Sequence, residues 1–186
     1  MNQLWQMWAR DISPTTCNKI IQECEQLAPM EATVGGQSEN LVDSNIRKSE
    51  IRWAGGIDWI KDLIYNYAAT ANRNAFGFDI NYLQDIQYTI YKGTDQGHYD
   101  WHFDTFWAGQ NAYDRKISVI IQLSDPSEYE GGEFLLESQY EQPDPTELKQ
   151  RGTVFCFPSP IRHTVKPVTS GVRKSLVAWI EGPKFK

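Results

Sequence analysis

The chain is constrained most by a change of hydrophobic period near Gly77. Upstream, apolar residues recur every three or four positions: Ile20, Ile21, Cys24 and Leu27, then Ile60, Leu63, Ile64, Tyr67, Ala68 and Ala71. That spacing lines one face of a helix. Ser13 is a hydroxyl cap and Pro14 suits a first helical position, so helices are expected over 14–27 and 58–76, the second ending near Gly77. Downstream the period falls to two. Residues 84–91 alternate and are β-branched or aromatic, and 116–123, 133–137, 153–157, 162–166 and 173–180 also resemble strands. Turn signals divide them, among them Lys92-Gly93, Asp125-Pro126, Gly131-Gly132, Pro158-Ser159-Pro160 and Ser170-Gly171. Two helices followed by many short strands predict a mainly β fold, a sandwich or jelly roll buttressed by N-terminal helices.

With 186 residues, 40% of them hydrophobic, the chain is expected to form one domain over 1–186, with helical support over about 1–80 and a β core over about 81–182. Residues 29–45 read as a loop and a candidate lid, and 140–150 as a polar connection within the domain. A net charge of -6 argues against a nucleic-acid partner or an anionic membrane surface. No apolar run approaches the roughly 18 residues of a membrane span, and residues 1–10 lack signal-peptide character, so a soluble, cytoplasmic protein is expected. Cys17, Cys24 and Cys156 have no pairing or metal-binding spacing and read as small buried residues.

The chemistry concentrates in Gly97-His98-Tyr99-Asp100-Trp101-His102-Phe103-Asp104. On an extended strand His98, Asp100, His102 and Asp104 share one face, and Tyr99, Trp101 and Phe103 the other. Either His98/Asp100 or His102/Asp104 offers two metal ligands, and the distant His163 offers a third. Two imidazoles and a carboxylate with open positions make the facial triad of non-haem Fe(II). Ten residues beyond His163, Arg173 opens an alternating row with Ser175, Val177 and Trp179. An inward-facing guanidinium beside a hydroxyl suits the far carboxylate of a dicarboxylic acid.

These residues together resemble the Fe(II)/2-oxoglutarate-dependent dioxygenases, in particular the prolyl 4-hydroxylase-like branch with its bacterial PKHD-type hydroxylases. The resemblance covers roughly 84–182. It runs through Tyr88-Thr89-Ile90-Tyr91-Lys92-Gly93, Trp101-His102-Phe103-Asp104 and the stretch from Asp114-Arg115 to Leu123-Ser124-Asp125-Pro126. It continues in Tyr129-Glu130-Gly131-Gly132-Glu133-Phe134 and Arg151-Gly152-Thr153-Val154-Phe155-Cys156-Phe157-Pro158, then from His163 to Arg173, with Trp179 at the family's tryptophan. The chain departs from the oxygen-sensing prolyl hydroxylases at Gln122, where they have a tyrosine that helps hold 2-oxoglutarate. It departs from collagen-type enzymes in having Arg173 where they have lysine.

The resemblance implies a double-stranded β-helix, or jelly roll, with His102, Asp104 and His163 as iron ligands, and it leaves His98 and Asp100 near the substrate entrance. It implies that Arg173, Ser175, Tyr91 and Gln122 surround 2-oxoglutarate, that Trp179 and Arg115 lie toward the substrate, and that the cofactors are Fe(II), 2-oxoglutarate and O2, with ascorbate as a supporting reductant. The implied reaction couples decarboxylation of 2-oxoglutarate to succinate with C–H hydroxylation, on a prolyl residue of a protein or peptide partner. The aromatic group Trp101, Phe106, Trp107 and Tyr113 is a further candidate cover for a prolyl ring. Alternatives are a free amino acid or small-molecule substrate, a jelly-roll metal-binding protein without turnover, and a zinc hydrolase, against which the pairing with Arg173 argues.

Overall fold

The structure, a computed structural model, describes residues 3–33, 43–105 and 112–185. Along the chain run β1 (Gln6–Trp8), α1 (Pro14–Cys24), β2 (Met30–Glu31), β3 (Arg47–Lys48), β4 (Glu50–Trp53) and α2 (Asp58–Ala71). Then come β5 (Tyr82–Lys92), β6 (His98–His102), β7 (Tyr113–Gln122), β8 (Tyr129–Gly131) and β9 (Phe134–Leu136). The short helix α3 (Pro145–Leu148), β10 (Val154–Pro158), β11 (His163–Val165) and the long β12 (Val168–Pro183) complete the order.

Both expected helices form. Ser13 caps α1 by accepting a hydrogen bond from the Thr16 amide at 3.1 Å. This helix stops three residues short of the expected Leu27 because Arg52 Nη1 donates to the Glu25 carbonyl and, at 2.8 Å, to that of Leu27. An arginine thus satisfies carbonyls that another helical turn would have used. Helix α2 widens into a π-turn over Asn72–Phe76 and ends at Gly77, whose φ of +68° is a conformation glycine adopts without a Cβ penalty.

All strand pairs are antiparallel and fall into two main sheets. The larger is ordered β1-β10-β7-β12-β5-β4-β2, with β8 joined to the start of β12, and the smaller is β3-β6-β11-β9. The period-2 pattern decides what each face of the larger sheet meets. Ile117, Val119 and Ile121 of β7, with Leu176, Ala178 and Ile180 of β12, pack against Cys17, Ile20, Ile60, Ile64 and Ala68 of the two helices. The opposite face carries Ile120, Phe155, Phe157 and Tyr91 into a second core with Phe134, Leu136 and Val165 of the smaller sheet. Each aliphatic side chain so buried contributes about 1.5–3 kcal/mol. The result is the expected jelly roll with helices on one face, and its polar interruptions, Ser118, Gln122, Arg173 and Ser175, all lie on the inner face.

The first 80 residues are less purely helical than the sequence reading has them. Strands β1 to β4 lie there, β2 within the stretch read as a loop. They are two to four residues long, too short for a period to register, and exist by pairing with β10, β5, β6 and one another. The lid expected over 29–45 lies largely in 34–42, outside the described residues. Cys17, Cys24 and Cys156 are free and fully buried, as expected. Among the described residues no helix is long and apolar enough to cross a membrane.

Candidate metal and cosubstrate site

Strands β6 and β11 lie side by side with His102 directly opposite His163. Asp104 follows two residues after β6 ends, its amide bonded to the Ser159 carbonyl at 3.1 Å. The three side chains converge so that a ligand atom from each lies within 4.8 Å of the others. His102 Nε2 stands 3.7 Å from Asp104 Oδ1, and His163 Nε2 stands 3.5 Å from Oδ2. On the far side of each ring, Nδ1 meets a backbone carbonyl, that of Asp100 at 2.7 Å for His102 and that of Ile161 at 2.9 Å for His163. A carbonyl only accepts, so each Nδ1 carries the ring hydrogen and each Nε2 presents its lone pair to the centre. This tautomer is the one that ligation through Nε2 requires.

The surroundings hold that state. Burial, assisted by the neighbouring His163, pushes the His102 imidazole down to about 3, so the ring is neutral. Burial works to raise the Asp104 carboxyl, but His163, His102, the Ser118 hydroxyl and Arg115 outweigh it and keep the acid below its ordinary range. Ser118 Oγ donates to Asp104 Oδ2 at 2.6 Å and lies 2.9 Å from Ser159 Oγ, and both serines are fully buried. The rings are fixed by aromatic neighbours, Tyr99 stacked on His102 at 3.4 Å between centroids and Phe157 edge-on to His163 at 4.8 Å. Two imidazole nitrogens and one carboxylate, set and oriented in this way, fit a divalent first-row metal of the facial-triad type.

The shared face expected for His98, Asp100, His102 and Asp104 is not found. Val165 pairs with Tyr99 while His163 pairs with His102, so three steps along β6 oppose two along β11. This bulge reverses the alternation. Tyr99 and His102 both turn inward as a result, Asp100 is exposed, and His98 is held by the carbonyls of Gln96 at 2.9 Å and Asn45 at 3.1 Å.

A cavity of about 130 Å³ opens on the three converging side chains, its wall including Tyr91, Arg115, Ile120, Phe134 and Trp179. Ile120 and Phe134 also wall a chamber of about 30 Å³ that holds Arg173, Gln122 and Tyr129. Arg173 is 4% exposed, donates to Ser175 Oγ at 3.5 Å and stands 5.5 Å from the Tyr91 ring. Among the described residues no carboxylate pairs with it. A buried guanidinium without a counter-ion is costly, and the chamber therefore suits an anion. Gly132 makes room for it: its φ is +67°, and a Cβ there would meet Arg173 Cδ at 2.9 Å. Gln122 turns its amide to the Tyr129 hydroxyl at 2.9 Å.

On the opposite side of the first cavity the Arg115 guanidinium lies 3.9 Å from the centroid of Trp179, whose buried Nε1 has no hydrogen-bond partner. Burial lowers the Arg115 pKa against the charges of Asp104, Glu181 and Asp85. Trp53 and Phe103 line the same cavity and remain 40% and 45% exposed. Of the expected aromatic cover, Trp101 stands beside Arg162 and Lys166 on the outside of the smaller sheet, Tyr113 packs edge-on against Tyr82, and Phe106 and Trp107 lie outside the described residues. Ser118, Ser159, Tyr99, Phe134 and Tyr129 were not singled out from the sequence. The inward parity of Ser118 on β7 was the one available signal.

A model of the 2OG-Fe(II) oxygenase superfamily matches residues 86–181. A PKHD-type hydroxylase of Synechococcus sp. (strain CC9311) is 37% identical over 95 residues, 51% of this chain and 41% of the relative. One from Nitrosomonas europaea is 32% identical over 117 residues, 59% of this chain and 50% of the relative. The chain thus spans half or less of these relatives' length. Among solved structures, a viral collagen prolyl hydroxylase from Paramecium Bursaria Chlorella virus-1 aligns with a TM-score of 0.72 at 19% identity, covering 97% of each chain. A Trichoplax adhaerens prolyl hydroxylase, in complex with a hypoxia inducible factor peptide fragment, aligns with a TM-score of 0.72 at 18% identity, over 96% of this chain and 83% of that one. At such identities the likeness is one of fold.

Proposed function

The chain belongs to the 2OG-Fe(II) oxygenase superfamily, and from that premise we propose that it is an Fe(II)- and 2-oxoglutarate-dependent hydroxylase acting on a prolyl residue of a protein or peptide, with residues 1–186 as one dioxygenase domain. The observation that carries the reading is the convergence of His102, Asp104 and His163 within 4.8 Å beside a chamber whose buried Arg173 lacks a counter-ion. When bound, Fe(II) with 2-oxoglutarate and O2 supplies the oxidation that yields succinate, carbon dioxide and a hydroxylated C–H position.

The protein's own part is to bind, orient and exclude water. His102 and His163 offer Nε2 and Asp104 a carboxylate oxygen, with the two Nδ1–H bonds keeping the rings in the ligating tautomer. Arg173, with Ser175 beside it, binds the far carboxylate of 2-oxoglutarate through paired N–H donors. Tyr91 covers that cosubstrate, and Ile120 and Phe134, which line both chambers, help exclude water. Trp179 and Arg115 flank the substrate. The prolyl reading draws on the flat aromatic wall at Trp179 and on the relatives described as prolyl hydroxylases, one of them with a peptide.

Succinate production that requires both Fe(II) and 2-oxoglutarate tests the activity, and its absence with every peptide and without one would leave a metal-binding jelly roll. Mass spectrometry of proline-containing peptides then tests the substrate. A mass gain of one oxygen on proline is expected, whereas turnover only on free amino acids or small molecules would overturn the peptidyl part alone.

A further inference from the structure

The Arg173 chamber contains a polar group to which the reading above gives no task. Tyr129, from β8, is 4% exposed, yet its hydroxyl points among polar side chains. Gln122 Nε2 donates to that hydroxyl at 2.9 Å, so the phenol oxygen acts as acceptor and its own hydrogen is free for another partner. The guanidinium of Arg173, which lines the same chamber and whose charge acts on the phenol, has only donors. Lys149, 4.6 Å from the ring centroid, likewise offers none but donors. Among the described residues Tyr129 donates to no acceptor. Its position is doubly determined: Tyr129 pairs with Gly171 on β12, and Gln122 pairs across the β7/β12 ladder with Ser175, the residue that accepts from Arg173.

Arg173, Tyr129 and Gln122 therefore bring together several donors around one small volume, and Glu133, the carboxylate on its wall, is exposed and pairs with none of them. A buried donor left unpaired is costly, and an anion with several lone pairs relieves all of them at once. We propose that Tyr129 is a cosubstrate-binding residue: its O–H donates to the same distal carboxylate that Arg173 grips, and Gln122 is a positioning residue that orients the phenol without touching the carboxylate itself. Burial raises the phenol's pKa against the influence of Arg173, which keeps it a donor at neutral pH. The proposal rests on the 2-oxoglutarate reading of the chamber and adds to it a residue and an order of contacts.

The test is calorimetric titration of the full chain loaded with Mn(II), with 2-oxoglutarate as one ligand and 2-oxopentanoate, of equal chain length but lacking the distal carboxylate, as the other. Tyr129→Phe removes one oxygen and should weaken 2-oxoglutarate about tenfold, the loss of one hydrogen bond to a charged group, while leaving 2-oxopentanoate within about twofold. Gln122→Leu should move the same ratio in the same direction by about threefold, as a positioning role requires. Equal losses for both ligands, or no loss for 2-oxoglutarate, would overturn the proposal with the parent reading intact. A wild-type chain that does not prefer 2-oxoglutarate over 2-oxopentanoate would instead overturn the parent reading. If Tyr129→Phe does not fold, the ratio measured on Gln122→Leu decides: no movement refutes the assignment.

Discussion

Replacing Ser118 by alanine takes one oxygen from the interior and tests whether the candidate metal centre depends on hydrogen bonds behind its ligands. Ser118 is fully buried and its hydroxyl donates to Asp104 Oδ2 at 2.6 Å, while Ser159 Oγ lies 2.9 Å away. Removing a hydrogen bond to a buried charged group costs about 1.5–3 kcal/mol, which for a chain of this size lowers the metal-free melting temperature by roughly 3–12 °C. The second consequence is specific to ligation. Asp104 Oδ2 is also the oxygen 3.5 Å from His163 Nε2, so a carboxylate released from Ser118 can rotate away from the geometry that faces both imidazoles. Loss of a partner of this kind weakens metal binding about 10–100-fold. Titration with Mn(II), followed by calorimetry or by the paramagnetic signal of the free ion, measures it directly. Ser118→Thr keeps the hydroxyl and should recover most of the affinity. Wild-type Mn(II) affinity in Ser118→Ala would refute the reasoning, as would a loss that Ser118→Thr shares in full.

Three further outcomes follow from the geometry. His102→Ala should abolish Mn(II) binding and His98→Ala should not, because the bulge in β6 turns His98 onto the carbonyls of Gln96 and Asn45; the reverse result would refute the assignment of ligands. Gly132→Ala should weaken 2-oxoglutarate while sparing the metal, since a Cβ 2.9 Å from Arg173 Cδ displaces the guanidinium stem; unchanged 2-oxoglutarate affinity would count against the chamber's role. Glu50 joins β4 to β5 through Lys92 at 3.0 Å and also meets Arg52 at 2.9 Å, and these bonds lower its pKa below the ordinary 4.5. A depressed folded-state pKa contributes stability above that ordinary value and loses it as pH falls through the folded one, so Glu50→Gln should melt roughly 1–4 °C lower at pH 7, the penalty of an exposed pair, with the gap closing as pH falls below the ordinary value. A gap that stays constant with pH would show that the ion pairs are not its source.

What the sequence disclosed and what it hid divides along the length over which a period can be read. Strand β7 is ten residues long, and its residues 117–122 extend far enough to send Ile117, Val119 and Ile121 to the helices and Ser118, Ile120 and Gln122 inward. The row Arg173, Ser175, Val177 and Trp179 was legible for the same reason. Strands β1 to β4 were not, because two to four residues carry no period and owe their form to partners elsewhere in the chain. Tyr129 was visible only as part of a motif before two glycines. Its closeness to Gln122 depends on how β8 docks on the first residues of β12, a register that a three-residue strand does not encode by itself. The phenol thus reaches the chamber from β8, while the inward position on β7 beside it is occupied by Gln122.

The bulge in β6 has the larger consequence for the candidate site. With strict alternation His98, Asp100 and His102 would all face the cavity, and Tyr99 would stand on the opposite side with no ring to meet. The extra residue instead removes His98 and Asp100 from the interior and brings Tyr99 flat against His102. Asp104, being beyond the end of the strand, cannot take its direction from the ladder. It takes it from the turn after β10, where Ser159 accepts the Asp104 amide through its carbonyl and meets the Ser118 hydroxyl through its own, and Ser118 in turn holds the Asp104 carboxylate. Pro158-Ser159-Pro160 reads in the sequence as a chain reversal, and that is what it does locally. Its further effect is to hold the carboxylate by backbone and side chain together, so the carboxylate's alignment with the two imidazoles is a property of the β10–β11 turn as much as of the His-x-Asp pair.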